Sequence, residues 1–136
     1  MARKFVPLIS VLAVSALGVL FLLDSSSSNE QQLAQIFDVD AIYYEDQGIV
    51  EITYLDKSQK TSSVVLEILG MEETFQKTFS SSDFVEQVQF DSPPQYGWKV
   101  HPITLDVEHE EFGKIGIKTE IRSERESKPR VIYSLV

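Results

Sequence analysis

The chain contains no cysteine among its 136 residues. Disulfide staples, thiolate metal sites, a cysteine nucleophile and a lipid carried on cysteine are excluded together. Histidine is nearly as scarce, with only His101 and His109. On one extended strand, eight residues apart, they would lie roughly 26 Å from each other. Within one chain they cannot share a metal. They have the parity of Ile103, Leu105 and Val107, which predicts the two ends of an apolar face where each ring reaches solvent. Basic residues are also few, 12 against 21 acidic ones, for a formal charge of −9. Arg3 and Lys4 are the only charges ahead of Asp24, so the remainder carries 10 basic and 21 acidic side chains, a net of −11. A surface of that sign repels phosphate backbones and anionic lipid heads, which argues against a nucleic-acid partner. There is no G-x-S-x-G, no P-loop and no H-E-x-x-H, and no cue ties a serine to a histidine and an acid. No cofactor is implied.

One long hydrophobic run is present. Residues 5–23 include no charge over 19 positions. As a helix at about 1.5 Å per residue the run spans roughly 28 Å, close to the roughly 30 Å hydrocarbon thickness of a bilayer. Pro7 falls in its first turn, where a missing N–H costs little. Ser10, Ser15 and Gly18 are tolerated in membrane helices. Arg3 and Lys4 precede the run and Asp24 and Glu30 follow it, so the positive-inside rule keeps the N-terminus in the cytoplasm and exports the rest. The competing reading is a cleaved signal peptide, which would leave the domain secreted. Against it, the run exceeds the usual apolar core of about 7–15 residues, and "FLLDSSSS" offers no small-x-small cleavage site. A pilin-type leader would need Gly or Ala before Phe5, where Lys4 stands. The expected organisation is a cytoplasmic stretch at 1–4, a transmembrane signal anchor at 5–23, a polar tether at 24–40 and an extracytoplasmic domain at 41–136. The tether holds a short helical pattern: Ser28 and Gln31 have capping-box spacing, and Leu33, Ile36 and Phe37 fall at i, i+3, i+4.

From Ala41 onward the apolar period is two. "IVEITYLD" puts Val50, Ile52 and Tyr54 on one face, and "SVVLEILG" reads as a central strand ending at Gly70. "DFVEQVQF" aligns Phe84, Val88 and Phe90, with Glu86 interrupting. "SPPQYG" is a loop, and "WKVHPITLDVEHE" reads as one long strand whose Pro102 marks an edge or a bulge. "KIGIKTEIR" sets Ile115, Ile117 and Ile121 against Lys118, Glu120 and Arg122, and "RVIYSLV" closes the chain. These strands predict an immunoglobulin-like antiparallel β-sandwich of about seven strands, without the Cys…Trp…Cys framework of true immunoglobulin domains. A three-residue loop at Glu111–Gly113 would pair Val107 with Ile117 and Ile103 with Ile121. On the solvent side it would set Asp106 opposite Lys118 and Glu110 opposite Lys114.

Candidate sites are sparse. Asp38, Asp40, Glu45 and Asp46 gather acid near a turn but lack the glycine and spacing of an EF-hand loop, which leaves them weak cation ligands. Asp106, Glu108 and Glu110 form a row on a strand that does not converge on an ion. Tyr43, Tyr44, Tyr96 and Trp98 offer aromatic surface, as core edge or as a carbohydrate-stacking patch. The composition and pattern point to a non-catalytic interaction or structural module of the cell envelope or a surface complex. Its partners would be the membrane through residues 5–23 and a protein. A ligand- or cation-binding domain is the alternative, and a small envelope hydrolase comes third. In layout alone, with no motif carrying it, the chain resembles the membrane-anchored sandwich subunits of surface filaments such as the archaellum.

Overall fold

The computed structural model describes residues 29–136. The expected anchor at 5–23, the stretch at 1–4, the start of the tether and Ser28 of the capping box lie outside the described residues. The described residues divide after Leu33, and Ala34–Val136 form one compact unit. Residues 29–36 are helical. No helix among the described residues is long and apolar enough to cross a membrane.

That unit is an all-β sandwich. Its strands are β1 (Phe37–Tyr44), β2 (Ile49–Asp56), β3 (Thr61–Ile68), β4 (Phe75–Phe79), β5 (Asp83–Gln89), β6 (Ile103–His109), β7 (Gly113–Thr119), β8 (Arg122–Ser123) and β9 (Ile132–Leu135). One sheet has the order β5-β2-β1-β8 and the other β4-β3-β6-β7-β9. Every pairing is antiparallel except the short parallel contact of β8 with β1. Alternation decides which side of each strand is dry. Phe37, Val39, Ala41 and Tyr43 of β1 are buried, as are Val50, Ile52 and Tyr54 of β2. They lie opposite one another as Val39–Tyr54, Ala41–Ile52 and Tyr43–Val50. In the second sheet Val64, Leu66 and Ile68 pair with Val107, Leu105 and Ile103, all at 1 % exposure or less.

The first strand begins at Phe37, not at Ala41. The helical spacing of Leu33, Ile36 and Phe37 competes there with the alternation of "FDVDAIYY". Pairing from Phe37–Asp56 onward settles it in favour of strand. β6 begins after Pro102 and is a central strand, while Trp98–Val100 forms a 3-10 turn. Proline has no N–H for a ladder, yet its carbonyl serves: the Leu69 N–H donates to it at 3.0 Å. Gly70, at φ +79°, ends this clamp, and a β-carbon there would collide with the Val100 carbonyl oxygen.

The hairpin register corrects the expectation by two residues. Val107 pairs with Ile115, Leu105 with Ile117 and Ile103 with Thr119. Gly113 does have positive φ, +74°, but it sits inside the ladder opposite His109 and does not end the loop. The N–H groups of Glu111 and Phe112 donate to the His109 ring, which moves the turn to residues 110–112. A slip of two leaves each side chain on its own face, so the core face is the expected one and only the cross-strand neighbours differ. The outward pairs become Thr104–Lys118 and Glu108–Lys114.

Glu86, the interruption in "DFVEQVQF", also finds its reason. β4 and β5 are edge strands of the two sheets. Lys77 of β4 bridges to Glu86 of β5 at 2.7 Å, and Phe79 stacks on Phe84 with ring centres 3.8 Å apart. An inward-turned charge on an edge blocks pairing with a foreign strand.

Candidate functional site

Two places gather polar or aromatic side chains, at opposite ends of the β1–β2 hairpin. At the Phe37 end, Asp56 is fully buried. Its carboxylate accepts from the Ser58 N–H at 2.9 Å, the Ser58 hydroxyl at 2.5 Å, the Lys60 N–H at 3.1 Å and the Thr61 hydroxyl at 2.7 Å. His109 Nε2 lies 3.1 Å from Asp56 Oδ2 and 3.0 Å from Ser58 Oγ. Burial works against this carboxylate, but the hydroxyls of Ser58 and Thr61 and the N–H groups of Lys60 and Ser58 outweigh it and hold its pKa below the ordinary value. The Tyr54 hydroxyl meets Thr61 Oγ1 at 2.8 Å, and burial pushes that phenol's pKa up.

Asp, His and Ser in contact invite comparison with a hydrolytic triad, and the geometry fails it. In a triad the acid holds Nδ1–H and leaves Nε2 to take the serine proton. Here Nδ1 of His109 accepts from the Glu111 and Phe112 N–H groups at 3.1 and 3.3 Å. The ring proton therefore sits on Nε2, facing Asp56 and Ser58 together, and cannot be vacated for a serine. The ring is packed between Phe37 and Phe112, at centroid distances of 5.5 and 5.0 Å. His109 does not reach solvent as the sequence predicts; its side chain is 0 % exposed. The cluster ties the β2–β3 turn to the β6–β7 turn. His101 lies off the strand altogether, its Nδ1 3.0 Å from the Leu69 carbonyl oxygen.

At the Tyr44 end an open pocket of about 430 Å³ is walled by Tyr43 and Trp98 and rimmed by Glu45, Asp46, Glu124, Arg125 and Glu126. Tyr43 reaches it as the last buried residue of β1, and the 3-10 turn presents Trp98. Their ring centres are 4.9 Å apart, and Phe90 meets Trp98 edge-on at 5.5 Å.

The four weak cation candidates are not brought together. Asp38 holds Lys128 at 2.8 Å. Asp40 holds Arg122 with two bonds, at 3.1 and 2.9 Å. Burial raises the Asp40 pKa, but the Arg122 guanidinium more than offsets this, so the carboxyl stays below its ordinary value. Glu45 and Asp46 go instead to the pocket rim. No three His, Asp or Glu side chains among the described residues converge as metal ligands. Of the four aromatic candidates, Tyr43 and Trp98 meet. Tyr44 points to the other face of β1, and Tyr96 is 81 % exposed. Sequence reasoning missed the third wall, residues 123–126, because a polar loop shows no period. Its one available signal was charge density in "SERES". No family model, no curated protein and no solved structure matches the chain.

Proposed function

We propose that the chain is a membrane-anchored, extracytoplasmic, immunoglobulin-like β-sandwich that serves as a non-catalytic interaction or structural module of the cell envelope or a surface complex. The uncharged run at 5–23 supports the anchor. The strand order supports the finer fold reading. β1, β2 and β5 share one sheet, β3, β4, β6 and β7 the other, and β6 returns between β3 and β7. That Greek-key crossing is shared by immunoglobulin-like sandwiches.

One observation carries the non-catalytic reading: the Asp56–His109–Ser58 cluster spends its donors and acceptors on holding two turns. The rim of the pocket, by contrast, keeps its charges unspent. A ligand-binding domain is the second reading, favoured by the concave aromatic wall of Tyr43 and Trp98.

The test is made on the full chain in its own membranes. The protein should resist carbonate extraction and retain Met1 or Ala2 as its N-terminus. A photo-crosslinking side chain at Tyr96, beside the pocket, should give a discrete protein adduct that the same group at Val85, exposed on β5, does not give. An N-terminus found within residues 20–30 overturns the anchor. No adduct from either position overturns the interaction module.

A further inference from the structure

We infer that the pocket at the Tyr43 end binds an ammonium or guanidinium group carried on an alkyl stem. This deepens the reading above by naming the chemistry of what docks there. The wall is aromatic: Trp98 contacts both Tyr43, tilted 48° to it, and Phe90, at 73°. An indole beside a phenol presents the electron-rich surface that attracts an organic cation and packs its alkyl stem. The rim has four carboxylates, Glu45, Asp46, Glu124 and Glu126, against one cation, Arg125, which leaves a net charge of −3.

Elsewhere on the sandwich Asp38, Asp40, Glu86 and Glu111 each hold a lysine or arginine of the same chain. The rim carboxylates take no hydrogen bond or ion pair from the described chain. Two other ligand classes fit less well. A bare divalent ion needs converging oxygens, and these carboxylates stand apart around the rim. A neutral sugar would stack on Trp98 but leave the unbalanced charge unused. The volume, about 430 Å³, lies in the range of small-ligand sites. The same chemistry comes from two sources, a free polyamine or the Lys or Arg side chain of a protein.

Trp98 is the only tryptophan, so its fluorescence reports occupancy directly. The full chain in nonionic detergent is titrated with agmatine, with N-acetyl-arginine methylamide, and with glucose and calcium chloride as controls. Agmatine is expected to give a saturable change that weakens with salt. A capped arginine of similar affinity identifies a protein side chain as the source; one bound at least tenfold more weakly identifies a free polyamine. The double variant Glu45→Gln/Asp46→Asn should weaken binding about three- to thirtyfold. It should still fold, because the turn is closed by backbone bonds from Gln47 and Gly48 to the Tyr44 carbonyl. No saturable change at about 10 mM agmatine, well above a millimolar Kd, overturns the inference, as does saturation by glucose or calcium alone, or an unaltered double variant. A crosslinked adduct without cation binding would leave the module standing and sink this site alone. Cation binding without an adduct would do the reverse.

Discussion

Replacing Asp56 by Asn keeps the shape of the buried hub and removes its charge. Five donors point at the carboxylate: the N–H and hydroxyl of Ser58, the Lys60 N–H, the Thr61 hydroxyl and His109 Nε2. An amide offers one acceptor oxygen and an NH2 group. The hydroxyls can rotate to accept from NH2, but a backbone N–H cannot. Ser58 N–H faces one carboxylate oxygen and Lys60 N–H the other, so either orientation of the amide strands one of them. A stranded buried donor costs about 1–3 kcal/mol, and lost charge assistance adds about 1, for roughly 2–4 kcal/mol in all. That is a large share of the roughly 5–15 kcal/mol available to a domain of this size, yet small enough to measure. The assay is urea unfolding of the full chain in nonionic micelles, followed by Trp98 fluorescence. The pH dependence has a definite sign. Asp56 is depressed in the fold from an unfolded value of about 3.9, so its contribution is complete above about pH 5 and is lost as pH falls through 3.9 toward the folded value. The gap between wild type and Asp56→Asn should be constant from pH 7 to about 5 and close below about 4. A variant within about 0.5 kcal/mol of wild type at pH 7, or a gap that persists in acid, would refute the hub as a charge-dependent lock.

Two glycines with nearly the same φ separate strain from collision. Gly113→Ala meets open space and should cost about 1–2 kcal/mol in a urea melt. Gly70→Ala meets the Val100 carbonyl and should exceed it by at least about 1 kcal/mol; equal costs would count against the clamp. Ile117→Ala empties a site that is 2 % exposed and should lower stability by about 2–5 kcal/mol, with a loss under about 1 contradicting the register opposite Leu105. The double change Lys77→Thr/Glu86→Val unblocks the β4 and β5 edges, and light scattering should then show concentration-dependent association beyond that of wild type, whereas scattering equal to wild type would show that the pair has no protective role.

Period-two alternation in "IVEITYLD", "SVVLEILG" and "KIGIKTEIR" was enough to establish an all-β sandwich domain and to name most of its core, because burial on one face of a strand leaves its mark on every second residue. The positive φ of Gly113 was legible for a similarly local reason, since few other residues adopt that backbone at low cost, although its place in the ladder was not. Parity, however, is blind to a slip of two, and so the partners of Val107 and Ile117 were settled only when the His109 ring took up the turn's N–H groups. The start of β1 at Phe37 was ambiguous for a related reason, since a short apolar triplet satisfies a helical spacing as well as an alternating one. The hub and the pocket left still less trace. Asp56 and Ser58 come from the β2–β3 connection between the sheets and His109 from the β6–β7 hairpin, and Tyr43, Glu45, Asp46, Pro93, Trp98 and residues 123–126 converge only in the packed fold. One-dimensional pattern records which face of an element is dry. Which elements meet, and therefore which polar groups lose water together and must satisfy one another, is decided only by the packed fold.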